Sequence, residues 1–294
     1  MKKIKFILLT LAAGLIINNN IITKVNAQQV LGTGEQPTAY PWVKEKTINR
    51  QPVPYAHVRE ADVFWSKTIW RIIDLREKIN HPFYYPERPT RGRKSLAQIL
   101  WDAITVEGTL NAYESEEFSV IVPAEQIIAE NSVSNSVIVP KITNPDEDST
   151  IYIKSEFSAK DVKKILIRED WFFDKQRSVM EARIMGLCLI KDLYITNPNT
   201  GEEEYKGMKQ VFWVYFPEAR KILAQYEVFN RFNDAERMSY DDVFFKRFFG
   251  SYIVREENVY DREIIEYESG LGALLESERI KNDITNFEIF LWEY

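Results

Sequence analysis

Four carboxylates, three basic groups and three consecutive aromatics crowd into EDWFFDKQRSVMEARIMG, residues 169–186. Such a set could supply the two acids of a glycoside hydrolase, one protonated for the leaving group and one ionised. Asp170 with Glu181 is the pair the stretch offers. The chemistry requires a defined separation, which spacing along a chain does not set. In a sequence with 44 Asp and Glu, two acids this close are the chance expectation, and surface acids paired with Arg177 and Arg183 are the plainer reading. His57 and His81 lie in different segments next to turn-forming or Pro-rich sequence, without a triad partner or a second ligand at metal spacing. No Ser or Cys sits in a Gly-flanked elbow, and no P-loop or dinucleotide fingerprint occurs. The residues therefore point away from catalysis, cofactors and metals. A cell-wall hydrolase using Asp170 and Glu181, and a transient cargo adaptor or chaperone, are the alternatives.

Composition narrows the class. The chain has 294 residues, 45% of them hydrophobic, with seven Trp, fifteen Tyr and seventeen Phe, enough for a substantial core. A net charge of −6 gives no basis for nucleic-acid binding. The single Cys188 excludes an intramolecular disulfide, and its place in an apolar strand face makes it a small core residue. Lys2, Lys3 and Lys5 precede an apolar run from Phe6 to Ile17, and the segment ends at Val25-Asn26-Ala27. This is the pattern of a secretory signal peptide, residues 1–27, cut between Ala27 and Gln28, with an apolar run too short to anchor in a bilayer.

The elements that would position these groups follow from periodicity. Residues 28–56 carry four prolines and no apolar period, which predicts an extended arm whose Tyr40, Trp42 and Tyr55 order on a neighbouring surface. Between Arg59 and Ile79, the residues Ala61, Phe64, Trp65, Thr68, Ile72, Leu75 and Ile79 share one stripe of a helical wheel, so a helix is expected. Val63 and Trp70 fall on its polar arc and would form an exposed ridge. Ser95 is placed to cap a helix from Leu96 to Glu107 closed by Gly108. Residues 57–122 thus read as mainly helical, and residues 123–150, turn-rich and poor in aromatics, as a loop or hinge.

Residues 151–294 read as α+β. Ser158 with Asp161 could cap a short helix. Met180, Ala182, Ile184, Gly186, Cys188 and Ile190 alternate onto one apolar face of a strand near 179–190, which Trp171, Phe172 and Phe173 approach as an aromatic loop. A strand near 210–216, apolar on both faces, belongs inside a sheet. Pro217 opens a helix running towards Phe229. Ser239 and Asp242 cap another, whose Phe244, Phe245, Phe248 and Phe249 point in several directions. An acidic helix near Gly270–Lys281 and the tail FEIFLWEY close the chain. The expected fold is α+β, a small antiparallel-rich sheet packed with several amphipathic helices. The interface candidates are Tyr40, Trp42, Val63, Trp70, Trp171, Phe172, Phe173, Phe244, Phe245, Phe248 and Phe249.

Long blocks of this chain carry a resemblance. VREADVFWSKTIWRIIDLREKINHPFYYP (58–86), EDWFFDKQRSVMEARIMG, VFWVYFPEAR (211–220) and YDDVFFKRFFGSYIVREENVYDR (240–262) resemble the GldN gliding-motility family and its counterpart PorN. With GLGALLESERIKNDITNFEIFLWEY at the end, the similarity covers nearly the whole chain beyond residue 57, less closely over residues 110–150. The resemblance implies a periplasmic component of the type IX secretion machinery of Bacteroidota, needed for protein secretion and gliding. It implies a ring complex with an outer-membrane lipoprotein of the GldK/PorK type, which would tether it to that membrane. It also implies contact with the inner-membrane proteins GldL and GldM or their counterparts PorL and PorM.

Overall fold

A computed structural model describes residues 49–292 of the protein, apart from residues 91, 132, 141–147, 156, 197–202, 231, 232, 234 and 235. All of these belong to one compact unit, Lys46–Tyr294. The signal segment, its Ala27–Gln28 junction, and Tyr40 and Trp42 of the arm lie outside the described residues.

The strands are β1 (Val63–Asp74), β2 (Ala112–Tyr113), β3 (Ile121–Val122), β4 (Val133–Pro140), β5 (Asp148–Ser155) and β6 (Val162–Asp174). Then come β7 (Val179–Thr196), β8 (Glu203–Tyr215), β9 (Glu227–Val228), β10 (Met238–Ser239) and β11 (Tyr252–Glu256). The helices are α1 (His81–Tyr84), α2 (Leu96–Thr105), α3 (Ala124–Asn131), α4 (Phe216–Leu223), α5 (Tyr240–Phe245), α6 (Ile264–Tyr267) and α7 (Leu271–Trp292). Seven strands form one antiparallel sheet in the order β11-β1-β6-β7-β8-β2-β3, so the fold is α+β as expected, with a larger sheet. Strands β4 and β5 form a separate hairpin, and β9 and β10 another.

The largest correction is at β1. The helix expected over 59–79 is a strand paired along its length with β6 and, at Ile69–Ile72, with β11. VFWSKTIWRIID is rich in β-branched and aromatic residues, which fit a pleated surface. Because β1 lies between two strands, it needs apolar residues on both faces, and such a pattern also satisfies a helical wheel. Trp70 is buried and Val63 half-buried on this strand, so the predicted exposed ridge does not exist. The segment 57–122 is therefore not mainly helical. Within residues 123–150 the described part contains α3 and β4, and the strands before and after it belong to the same seven-stranded sheet.

The hairpin β6–β7 replaces the expected aromatic loop, since Trp171, Phe172 and Phe173 all lie within β6 and pair with Ala182, Glu181 and Met180. Arg168 and Glu169 on β6 stand opposite Gly186 and Ile184 on β7, which leaves Met185 as an extra residue. This bulge moves the alternation by one position. Ile184 therefore shares a core with Leu187 and Leu189, while Cys188 and Ile190 face the other side. The single apolar face predicted for 180–190 is thus split in two.

On one face, α2, α4 and α5 cover the sheet, packing Leu96, Leu100, Phe216, Leu223 and Phe244 against residues such as Ile165, Leu187 and Val214. Each such side chain contributes about 1.5–3 kcal/mol when fully buried. Ser95 caps α2 by accepting from Gln98 N at 3.4 Å, and Ser239 with Asp242 forms a capping box at α5. Helices α4 and α5 end at Leu223 and Phe245, well before Phe229 and Gly250. Residues 159–161 make a 3-10 turn that Ser158 does not cap. On the opposite face, Trp70, Leu166, Cys188 and Trp213 form a second core closed by Phe118. The acidic helix and apolar tail expected at the C-terminus are one helix, α7, whose Ile280 and Ile284 pack on Ile69 and Ile253.

Candidate functional site

The β6–β7 hairpin shows what its carboxylates do. Asp174 closes the turn, accepting from Gln176 N at 2.8 Å and Arg177 Nε at 2.7 Å, while Ser178 takes up φ +53°. The Arg177 hydrogen bond, aided by the backbone N–H groups, holds the Asp174 carboxyl below its ordinary range. Glu169 is wholly buried and receives both its oxygens' bonds from Arg247 Nη2, at 2.6 and 2.7 Å, with Trp171 Nε1 at 3.1 Å. Asp170 accepts from Thr68 Oγ1 at 3.0 Å. Glu181 is bound by Arg177 and by Arg183, the latter at 3.0 Å. Burial acts to raise the Glu181 carboxyl, but the two arginines together hold it below its usual value.

That is the opposite of what a general acid needs, a carboxyl kept protonated towards neutral pH. Asp170 stands opposite Arg183, and Glu181 opposite Phe172, so Arg183 is Asp170's direct neighbour across the strands and bonds Glu181. Among the described residues, no group of His, Cys, Asp and Glu is arranged to hold a metal. Burial pushes the Cys188 thiol well above its ordinary value, which disfavours the nucleophilic thiolate.

What the hairpin does build is a clamp. Residues 50–56 cross its end as a strap. Arg183 Nη2 donates to Ala56 O and Arg220 Nη2 to Val53 O, both at 2.7 Å. Both guanidinium groups lie over the Tyr55 ring, with centres 4.9 and 4.2 Å away. Arg220 is itself fixed by a buried two-pronged pair with Asp241, at 2.7 and 3.1 Å. Arg50 reaches Asp242 at 2.7 Å. Burial, partly opposed by Arg220, raises the Tyr55 phenol. Beside the clamp opens a cleft of about 320 Å³ between the hairpin and α5, lined by Tyr55, Arg177, Met180, Glu181, Phe245 and Arg247.

The sequence-derived aromatic candidates divide sharply. Trp70 is only 8% exposed: its Nε1 donates to Glu116 Oε2 at 2.5 Å and the Arg255 guanidinium stacks on its ring at 3.6 Å. Val63 is half-buried at the start of β1. Phe172 is buried beneath Arg183, Trp171 is half-buried beside Arg247, and Phe173 is half-buried. Phe244 is core, and Phe249 packs against Phe83 and Phe244. Among the described candidates only Phe245 and Phe248 stand out, each 53% exposed. The cleft thus brings together Glu181, Phe244 and Phe245, while Trp70 lies on the other face of the sheet.

Several functional-looking residues escape sequence reasoning. Phe64, exposed with Lys175 5.4 Å from its ring, is hidden by the mistaken helix. Glu116, Arg220, Arg247 and Arg255 sit in unremarkable local sequence, and only the fold joins them to their partners.

A family model described as Gliding motility associated protein GldN matches residues 58–293. The match spans every strand of the main sheet and every helix. No curated protein matches the chain.

Proposed function

The chain belongs to the GldN family of gliding-motility and type IX secretion components, and from that premise we propose that it is a non-enzymatic structural subunit of the secretion machinery. In this reading the chain is exported to the periplasm, loses residues 1–27 and assembles as a ring with an outer-membrane lipoprotein of the GldK/PorK type. Through the inner-membrane proteins GldL and GldM, or PorL and PorM, the ring is coupled to the motor. Export is supported by the N-terminal pattern, and no described helix is long and apolar enough to cross a membrane.

The observation that carries the structural role is the pairing of a fully engaged charge network with exposed aromatics. Glu169, Asp170, Asp174 and Glu181 each hold a partner within the fold, whereas Phe245 on the rim of an arginine-lined cleft and the nearby Phe248 are each 53% exposed. Large aromatics rimmed by arginine are the usual anchors of protein interfaces. The arm, with Tyr40 and Trp42, supplies a second contact in this reading, and two different contacts per subunit are what a closed ring requires.

The test replaces the chromosomal copy with a Phe245→Ser/Phe248→Ser variant. The protein should accumulate and fold while secretion falls at least tenfold. Normal secretion by that variant would remove this surface from the assembly. Loss of secretion in Asp170→Asn or Glu181→Gln, with folding intact, would instead favour the hydrolytic alternative.

A further inference from the structure

Helix α7 is held to the sheet by a narrow seam. Of its 22 residues only Ser277, Ile280 and Ile284 are buried. The chain around its start exposes a run of large apolar side chains. Val259 is 99% exposed, Ile265 74%, Leu271 72% and Leu275 63%, and Tyr260 and Tyr267 stand beside them with Arg262 against both rings, 4.5 and 5.3 Å from their centres. Leu271 and Leu275 are one helical turn apart and form a ridge on the solvent side of α7. Contiguous apolar surface of this kind marks an interaction site.

Charge identifies the partner. Residues 256–278 carry eight carboxylates and one arginine, a contribution of −7, whereas the whole chain has −6. Without the four lysines of residues 1–27 the chain carries −10, so residues 256–278 hold most of its negative charge and the rest has −3. Glu256, Glu276 and Glu278 are paired with Lys67, Arg279 and Lys281, and the other carboxylates of the stretch are exposed. Glu266 and Glu268 are exposed on its rim. An anionic bilayer or a nucleic acid has the same sign and is repelled. A second copy of this chain is net negative outside the surface as well and brings no complementary charge. Opposite potentials across an interface speed encounter and reject wrong partners.

We propose that the surface formed by α6, the start of α7 and the loop before them docks a basic amphipathic helix of another protein. Its apolar face would lie against Ile265, Leu271 and Leu275, and its Lys or Arg residues would meet Glu266 and Glu268. Apolar anchors spaced along one helical face suit the Leu271–Leu275 ridge. The inference goes beyond the ring assignment and depends on neither the lipoprotein nor the Phe245–Phe248 surface.

The experiment places the photo-crosslinking amino acid p-benzoylphenylalanine at Leu275, and as a control at Val106, which is 77% exposed. The full chain is used in cells, with mass-spectrometric mapping of the adducts. The expected result is an adduct from Leu275, absent from Val106, on a lysine- or arginine-rich helical segment of a different protein. That adduct should fall at least tenfold in a Glu266→Lys/Glu268→Lys background whose thermal melt is unchanged. Adducts on lipid, on a second copy of this chain or on an acidic segment would overturn the proposal, as would no adduct or one indifferent to charge reversal. Ring assembly measured in the same strains separates the two readings, because either can fail while the other stands.

Discussion

Replacing Trp70 by alanine distinguishes a buried strand residue from an exposed ridge. The side chain is 8% exposed, so its removal opens a core cavity, and large aromatic-to-alanine changes cost about 3–5 kcal/mol. The ring also supports Arg255 at 3.6 Å, and loss of a desolvated cation–π contact adds about 1–2 kcal/mol. These contributions share partners and do not sum fully, giving an expected loss of about 4–5 kcal/mol. For a unit of this size that lowers Tm by about 10 °C or more. Trp70→Phe keeps the packing but removes the N–H that reaches Glu116, and should cost about 1–2 kcal/mol. The assay is urea and thermal unfolding of the mature protein followed by circular dichroism, with a double-mutant cycle of Trp70→Phe and Glu116→Gln. The cycle should show coupling above about 0.5 kcal/mol. Stability of Trp70→Ala within about 0.5 kcal/mol of the parent would refute the placement of this residue.

Three further outcomes are expected. Asp241→Ala leaves Arg220 buried without its partner and should cost about 3–5 kcal/mol in denaturant unfolding, with protease cutting of residues 50–56 appearing first; an unchanged digestion pattern would contradict the clamp. A Cβ added at Gly186 would lie 2.7 Å from Phe118 Cζ and 3.2 Å from the Trp213 ring, so Gly186→Ala should lower stability by about 1–3 kcal/mol, and a neutral effect would count against that packing. The Asp174 and Glu181 carboxyls are both depressed in the folded state, so their contribution is complete above the ordinary carboxylate range and is lost as pH falls through their folded values. The stability gap between parent and Asp174→Asn should accordingly be present at about pH 6 and close towards about pH 3; a gap independent of pH would rule out this linkage.

Local chemistry was readable where it acts locally. The caps at Ser95 and Ser239, the burial of Cys188 and the two-faced strand at 210–216 depend on near neighbours or on a period of two, and the structure reproduces them. Strand β1 was not readable, because an interior strand must be apolar on both faces and then loses the alternation that distinguishes it from a helix. The bulge at Met185 was also invisible: it exists only as a mismatch between two strands, and it redirects Gly186, Cys188 and Ile190 to the opposite face. The charge clusters depend on still longer connections. Trp70 and Glu116 are 46 positions apart, Glu169 and Arg247 78, and Glu116 and Arg255 139. Of the aromatic candidates, type alone marked all of them equally. The fold decides that Phe245 and Phe248 face outwards while Trp70, Phe172 and Phe244 are buried.

The central claim is a structural role in assembly, and the mass of the assembled complex tests it most directly. The mature protein would be co-purified with its candidate outer-membrane lipoprotein and measured by light scattering and negative-stain imaging. A complex of fixed ratio and very high mass, with rings visible, is the predicted result. A stable monomer that does not associate with the lipoprotein would contradict it.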